Sequence, residues 1–75
     1  MNSRNVPVPG RIYRLLNDIA VRREGAWIEI PTGSLFFTIA ASDRGPHHCL
    51  VEMLFESVKI SYYLYPHEYE LVEGQ

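Results

Sequence analysis

From Gly25 onward the apolar residues follow a period of two, in rows separated by residues that favour turns. That period places successive side chains on opposite faces, which describes half-buried β-strands and not amphipathic helices. Over residues 27–30, Ile28 and Ile30 flank an outward Glu29. Pro31-Thr32-Gly33-Ser34 reads as a turn, with proline setting φ at the first central position and glycine suited to a positive φ. Over 34–42 the alternation groups Leu35, Phe37, Ile39 and Ala41 on one face, before a second turn at Asp43-Arg44-Gly45-Pro46. Cys49, Val51, Met53 and Phe55 line one face of the next strand, with Glu52 and Glu56 opposite. Glu56-Ser57 reverses the chain, and Val58, Ile60, Tyr62 and Leu64 supply the following inward row. Pro66 has no amide hydrogen for a ladder and ends that strand, leaving residues 69–72 as a short last one. Five or six short strands with connections of two to five residues predict an all-β chain of meandering antiparallel strands, a small barrel or sandwich.

The N-terminal third is less decided. Residues 1–10 read as an extended leader, because Pro7 and Pro9 favour polyproline II and neither can donate to a ladder. The domain proper is expected over 11–75. Within 11–24, Ile12, Leu15, Leu16 and Ile19 fall at helical spacing, with Gly25 as a possible C-cap behind Arg22 and Arg23. Asn17-Asp18 opposes that reading, since both residues compete with helix by bonding to nearby backbone. Two architectures follow. One splits the segment into a short strand at 11–16 and a long loop with a β-like arm over 19–30. The other is α+β, with a helix at 11–24 packed on a four-stranded sheet.

Seventy-five residues make one domain, and a chain this small buries a marginal core. Small domains usually add a disulfide, a metal or a partner subunit. Cys49 is the sole cysteine, so an intrachain disulfide is excluded and a reducing, cytoplasmic setting is expected. The core must rest on the 47% apolar residues or on self-association, which makes a homo-oligomer a fair expectation. No apolar h-region opens the chain, and the longest apolar run, over 35–41, falls far short of a membrane span. The net charge of −2 is unevenly spread. Residues 1–25 hold five arginines against Asp18 and Glu24, a net of +3. Residues 26–75 hold Arg44 and Lys59 against seven acids, a net of −5. A general nucleic-acid binder is basic overall, so this balance disfavours one.

Four stretches resemble an SH3-like barrel. Residues 11–16 (RIYRLL) look like its first strand, and residues 30–36 (IPTGSLF) look like the diverging turn into the second. The hairpin over 49–64 is similar to the third and fourth strands. Residues 65–71 (YPHEYEL) resemble the Pro-x-x-Tyr single 3₁₀ turn before the last strand. The resemblance covers about residues 11–73 and concerns architecture, not one named family. It implies about five antiparallel strands and places a peptide groove at Tyr13, Pro66 and Tyr69. The chain departs from that pattern where the third strand usually begins with tryptophan, here His47-His48-Cys49, and Trp27 lies in the preceding arm. Arg22-Arg23-Glu24 also replaces the usual acidic loop. Both departures argue against recognition of proline-rich ligands in the family's usual way.

The remaining chemistry is sparse. His47-His48-Cys49 invites a metal, but adjacent strand residues face opposite ways and the paired spacings of zinc sites are absent, so no metal is expected. There is no phosphate-binding glycine loop, no Gly-x-Ser-x-Gly elbow and no His-Glu-x-x-His motif. Tetrameric dihydrofolate reductases of the plasmid type also use a small SH3-like barrel, and Leu64-Tyr65-Pro66 is faintly similar to their strand end. The glutamine of that site is missing, with Tyr63 in its place. The expectation is a non-catalytic binding module without cofactor, acting on a protein partner or on its own copy. Its candidate surface is Tyr13, Trp27, Tyr63, Tyr65, Pro66 and Tyr69, with Tyr63 and Tyr65 facing outward. The alternative is a nucleic-acid adaptor that uses Arg11, Arg14, Arg22 and Arg23.

Overall fold

The computed structural model describes residues 6–45 and 48–72. Seven strands lie among them: β1 (Ile12–Leu15), β2 (Ile19–Arg23), β3 (Ala26–Ile30), β4 (Leu35–Asp43), β5 (Cys49–Phe55), β6 (Val58–Leu64) and β7 (Tyr69–Leu71). A single 3₁₀ turn, Pro66–Glu68, links β6 to β7. Five strands form an antiparallel sheet in the order β6-β5-β4-β1-β7, and β2 and β3 form a separate two-stranded sheet. The fold is all-β. No helix among the described residues is long and apolar enough to cross a membrane.

The helix expected as the alternative over 11–24 does not form. Asn17-Asp18 divides the segment into β1 and β2, and the Asp18 carboxylate anchors the break. Its Oδ1 accepts hydrogen bonds from the Thr32 amide at 2.7 Å and the Thr32 hydroxyl at 2.8 Å. The helical spacing of Ile12, Leu15, Leu16 and Ile19 is a coincidence of composition. Tyr13 and Leu15 are the buried pair of β1, while Leu16 is exposed. The arm over 19–30 is more regular than the loop foreseen. Ile19 to Arg23 pair with Ile30 to Ala26 in an unbroken ladder, closed by a two-residue turn. Glu24 (φ 52°) and Gly25 (φ 80°) make that turn with positive φ at both positions, so Gly25 is a hairpin residue and not a helix cap.

One core lies between the inner faces of the two sheets. Tyr13, Leu15, Phe36, Val51, Met53, Ile60 and Leu64 come from the larger sheet, and Ile19, Val21 and Ile30 from the smaller. The inward rows expected on β5 and β6 are observed, with Phe55, Val58 and Tyr62 packing at the margin. On β4 the expected grouping is overturned. Phe36 and Thr38 point inward, Leu35, Phe37 and Ile39 point outward, and the register shifts between Thr38 and Ala40. The extra residue at this bulge flips the alternation, so of the expected row Ala41 packs against the core while Leu35, Phe37 and Ile39 do not. The cause lies in the sequence: residues 35–39 are apolar at nearly every position, so alternation has two solutions. Pairing of Tyr13 with Phe36 selects one, their rings stacking at 5.8 Å.

The turn at residues 31–34 also differs in detail. The Ser34 amide donates to the Pro31 carbonyl at 3.1 Å, so the central residues are Thr32 and Gly33 (φ 92°), not Pro31. The described part of the leader, from Val6, packs on the body of the fold. Pro7 is fully buried, and Val8-Pro9-Gly10-Arg11 forms a turn that closes through the Arg11 amide on the Val8 carbonyl. Residues 1–5 of the expected leader lie outside the described residues.

Candidate contact surface

The end of the β5–β6 hairpin farthest from its turn holds the most aromatic exposed surface. Cys49 pairs with Leu64 on the inner face, where its Sγ lies 3.7 Å from the Leu64 carbonyl oxygen. The next pair, Leu50 with Tyr63, faces outward because the alternation demands it. His48 enters β5 beside this pair. Its ring meets Tyr63 edge-on, with centroids 5.3 Å apart, and lies 5.7 Å from Tyr65 on the other side. Tyr65 in turn stands 5.7 Å from His67. Four rings therefore run in series as Tyr63, His48, Tyr65 and His67.

Local backbone chemistry fixes the series. Pro66 stops β6 by lacking an amide hydrogen, and the chain turns once as a 3₁₀ helix. The Glu68 amide donates to the Tyr65 carbonyl at 2.9 Å, and the Tyr65 amide donates to Glu68 Oε1 at 2.9 Å. This reciprocal closure holds Tyr65 extended and outward. Tyr63 is 53% and Tyr65 44% exposed, in keeping with the outward placement expected of both.

The other ring residues separate from this ladder. Tyr13 and Tyr69 are buried, edge-to-face at 5.6 Å. Together with Pro66, Glu70, Val6 and Val8 they line a groove of about 400 Å³. The Val8 amide donates to the Tyr13 hydroxyl at 2.8 Å, so the leader itself lies along the position where the resemblance implies a peptide. Trp27 stands on the outer face of the β2–β3 hairpin, 65% exposed, with the Arg22 guanidinium 5.7 Å from its ring centroid.

The arginines named for the alternative do not form one patch. Arg14 is paired with Glu70 at 2.7 Å on the outer face of the large sheet. Arg23 donates to the Lys59 carbonyl at 2.7 Å. Arg22 covers Trp27 on the other sheet, and Arg11 is partly buried ahead of β1. Of the suspected metal triplet, His47 lies outside the described residues, Cys49 is buried and His48 sits in the ring ladder. Among the described residues no three His, Cys, Asp or Glu side chains converge as a metal site would require. Asp18 and Glu29 share the lining of a second hollow of about 400 Å³, where the Asp18 carboxylate is engaged by Thr32. Those two hydrogen bonds hold its carboxyl below the ordinary 3.8, backbone amide first.

Sequence reasoning missed a further surface. Leu35, Phe37, Ile39 and Leu54 are 38 to 49% exposed on the outer face of the large sheet. The signal was the same two-sided apolar run at 35–39 that hid the register of β4. Comparison with known proteins finds no matching family model, no matching curated protein and no matching solved structure.

Proposed function

We propose that this chain is a non-catalytic protein-binding module of SH3-like architecture, with Tyr63, His48, Tyr65 and His67 as its contact surface. The single observation that carries the reading is the outward series of four rings held in place by the Pro66–Glu68 turn. Rings with an apolar body and a polar edge contribute large contact area at low entropic cost, which is why they concentrate in protein interfaces. Support for the architecture comes from the strand order β6-β5-β4-β1-β7, the separate hairpin over 19–30, and the 3₁₀ turn before the last strand. The ladder, and not the groove at Tyr13 and Tyr69, takes the contact role because the leader already covers those two rings.

The test is affinity capture from the source cell, with wild type and Tyr65→Ala run side by side and partners identified by mass spectrometry. Tyr65 is exposed, so its truncation leaves the core intact, and hot-spot aromatics typically cost about 2 kcal/mol or more on truncation. The expected result is a partner retained by wild type and lost by Tyr65→Ala, with unchanged circular dichroism. Equal recovery by both proteins would count against the ladder as the contact.

A further inference from the structure

The outer face of the large sheet leads beyond the ring ladder. Cross-strand pairing places Ile12, Phe37, Leu54 and Lys59 in one row across β1, β4, β5 and β6. Arg14 and Leu35 pair in the adjacent row, with Glu70 beside Arg14, and Ile39 stands at the bulge on the other side of Phe37. The centre of this face is apolar, with Phe37 between Ile12 and Leu54. Ion pairs flank it at both edges: Arg14 with Glu70 at 2.7 Å beside β7, and Lys59 with Glu52 at 4.0 Å beside β6.

We infer that this face is a homodimer interface, in which two copies of the chain pack their large sheets face to face about a two-fold axis. Three observations select a second copy as the occupant. An isologous contact must be self-complementary, and each edge of this face carries one cation and one anion. A two-fold that lays the β1–β7 edge of one copy over the β5–β6 edge of the other brings Arg14 and Glu70 towards Glu52 and Lys59, with no net repulsion. The area fits a weak, reversible dimer. At ordinary strand spacing, two such faces stacked about 10 Å apart remove on the order of 800–1,000 Å² from water, above most crystal-packing contacts and in the size range of transient interfaces. Finally, the chain has no disulfide to supplement a 75-residue core, and sheet-on-sheet packing would cover its outward apolar row. The inference is independent of the protein-binding reading, because the ladder and Trp27 play no part in the central contact.

Sedimentation equilibrium of the full chain tests it. Wild type is expected at twice its 8.7 kDa monomer mass, with Phe37→Asp and Leu54→Lys dissociating at least tenfold more readily. Trp27→Ala, on the other sheet, is expected to dimerise as wild type does. Isotope-filtered NMR on an equal mixture of labelled and unlabelled wild type adds a readout that needs no variant. Leu54 methyl contacts to Phe37 or Ile12 of the other copy are expected. A wild type that stays at 8.7 kDa up to roughly millimolar concentration, where even weak specific dimers assemble, overturns the inference. So does a dimer that survives both substitutions in folded protein, or one with no intermolecular contacts at Leu54. A monomer that still loses its partner on Tyr65→Ala would sink the dimer and leave the binding module standing.

Discussion

Among the described residues, Thr38 is the one buried polar residue, and its side chain runs against its surroundings. It is fully buried at the inner face of β4, and its hydroxyl has no hydrogen-bond partner among the described residues. Its backbone is satisfied, the amide donating to the Arg11 carbonyl at 3.0 Å and the carbonyl accepting from Gly10 at 2.8 Å. A desolvated hydroxyl without a partner costs about 1–3 kcal/mol, and valine has the same shape and an equal liking for strands. Thr38→Val is therefore expected to raise stability by about 1 kcal/mol, read as a higher urea midpoint at unchanged slope. A lower midpoint would mean that the hydroxyl is satisfied. Asp18 is the opposite case, an exposed side chain with a structural task. Its carboxylate holds the turn at Thr32 against the break between β1 and β2, and its depressed pKa means that the folded state prefers the ionised form. The contribution is present above the ordinary 3.8 and is lost as pH falls through the lower folded value. Asp18→Ala is expected to lower the urea midpoint at neutral pH, with the gap to wild type narrowing as the solution is acidified below 3.8. A gap independent of pH would remove the charge from the explanation.

At the scale of elements, the β5–β6 hairpin is held by its ladder and strained at its turn. Phe55 pairs with Val58, leaving Glu56 (φ 49°) and Ser57 (φ 71°) as a two-residue loop with positive φ at both positions. Asn-Gly is the preferred pair there, since the left-handed region costs other residues about 1 kcal/mol each. Replacing both, Glu56→Asn with Ser57→Gly, is expected to raise the thermal midpoint by several degrees, as about 1 kcal/mol does in a domain of this size. No change would show that the turn relaxes in solution. The position of this reversal was legible because Glu56-Ser57 interrupts two clean alternating rows, Cys49 to Phe55 and Val58 to Leu64. From the residues alone Pro66 marked only the end of β6; the 3₁₀ turn after it was expected through the resemblance of residues 65–71 to a Pro-x-x-Tyr link. Where the pattern admitted two solutions, it failed. Residues 35–39 offer apolar side chains to both faces, so alternation carried no information about which row was buried, and the bulge after Thr38 has no local signature. Residues 11–24 offered helical and extended patterns together, and a long-range bond from Thr32 to Asp18 decided between them. The ring ladder was half visible: Tyr63 and Tyr65 read as outward, but the place of His48 between them depends on the pairing of β5 with β6.

For the whole molecule, the distribution of arginine bears on the choice between the two classes of partner. In sequence, the first third looks like a basic arm, with a net of +3 over residues 1–25. Folding disperses that charge. Arg14 faces outward from the large sheet and is neutralised by Glu70, while Arg22 faces outward from the small sheet over Trp27. The inner faces of the two sheets meet in one core, so these outer faces look away from each other. Arg23 is tied to the Lys59 backbone with Glu24 at 4.0 Å, and the Glu68 carboxylate accepts from the Tyr65 amide at the aromatic end where bases would have to stack. Binding to a single strand needs a continuous cationic track beside the stacking rings, and each phosphate contact adds a salt-dependent increment. This molecule offers isolated guanidinium groups on separate faces. A gel-shift titration with single- and double-stranded oligonucleotides at low salt is therefore expected to show no retardation of either. Retardation that weakens steeply with added salt, and is lost on Arg11→Ala with Arg22→Ala, would reassign the surface to nucleic acid. Retardation insensitive to those arginines but lost on Tyr65→Ala would make the ladder a base-stacking platform and end the protein-binding reading at that surface.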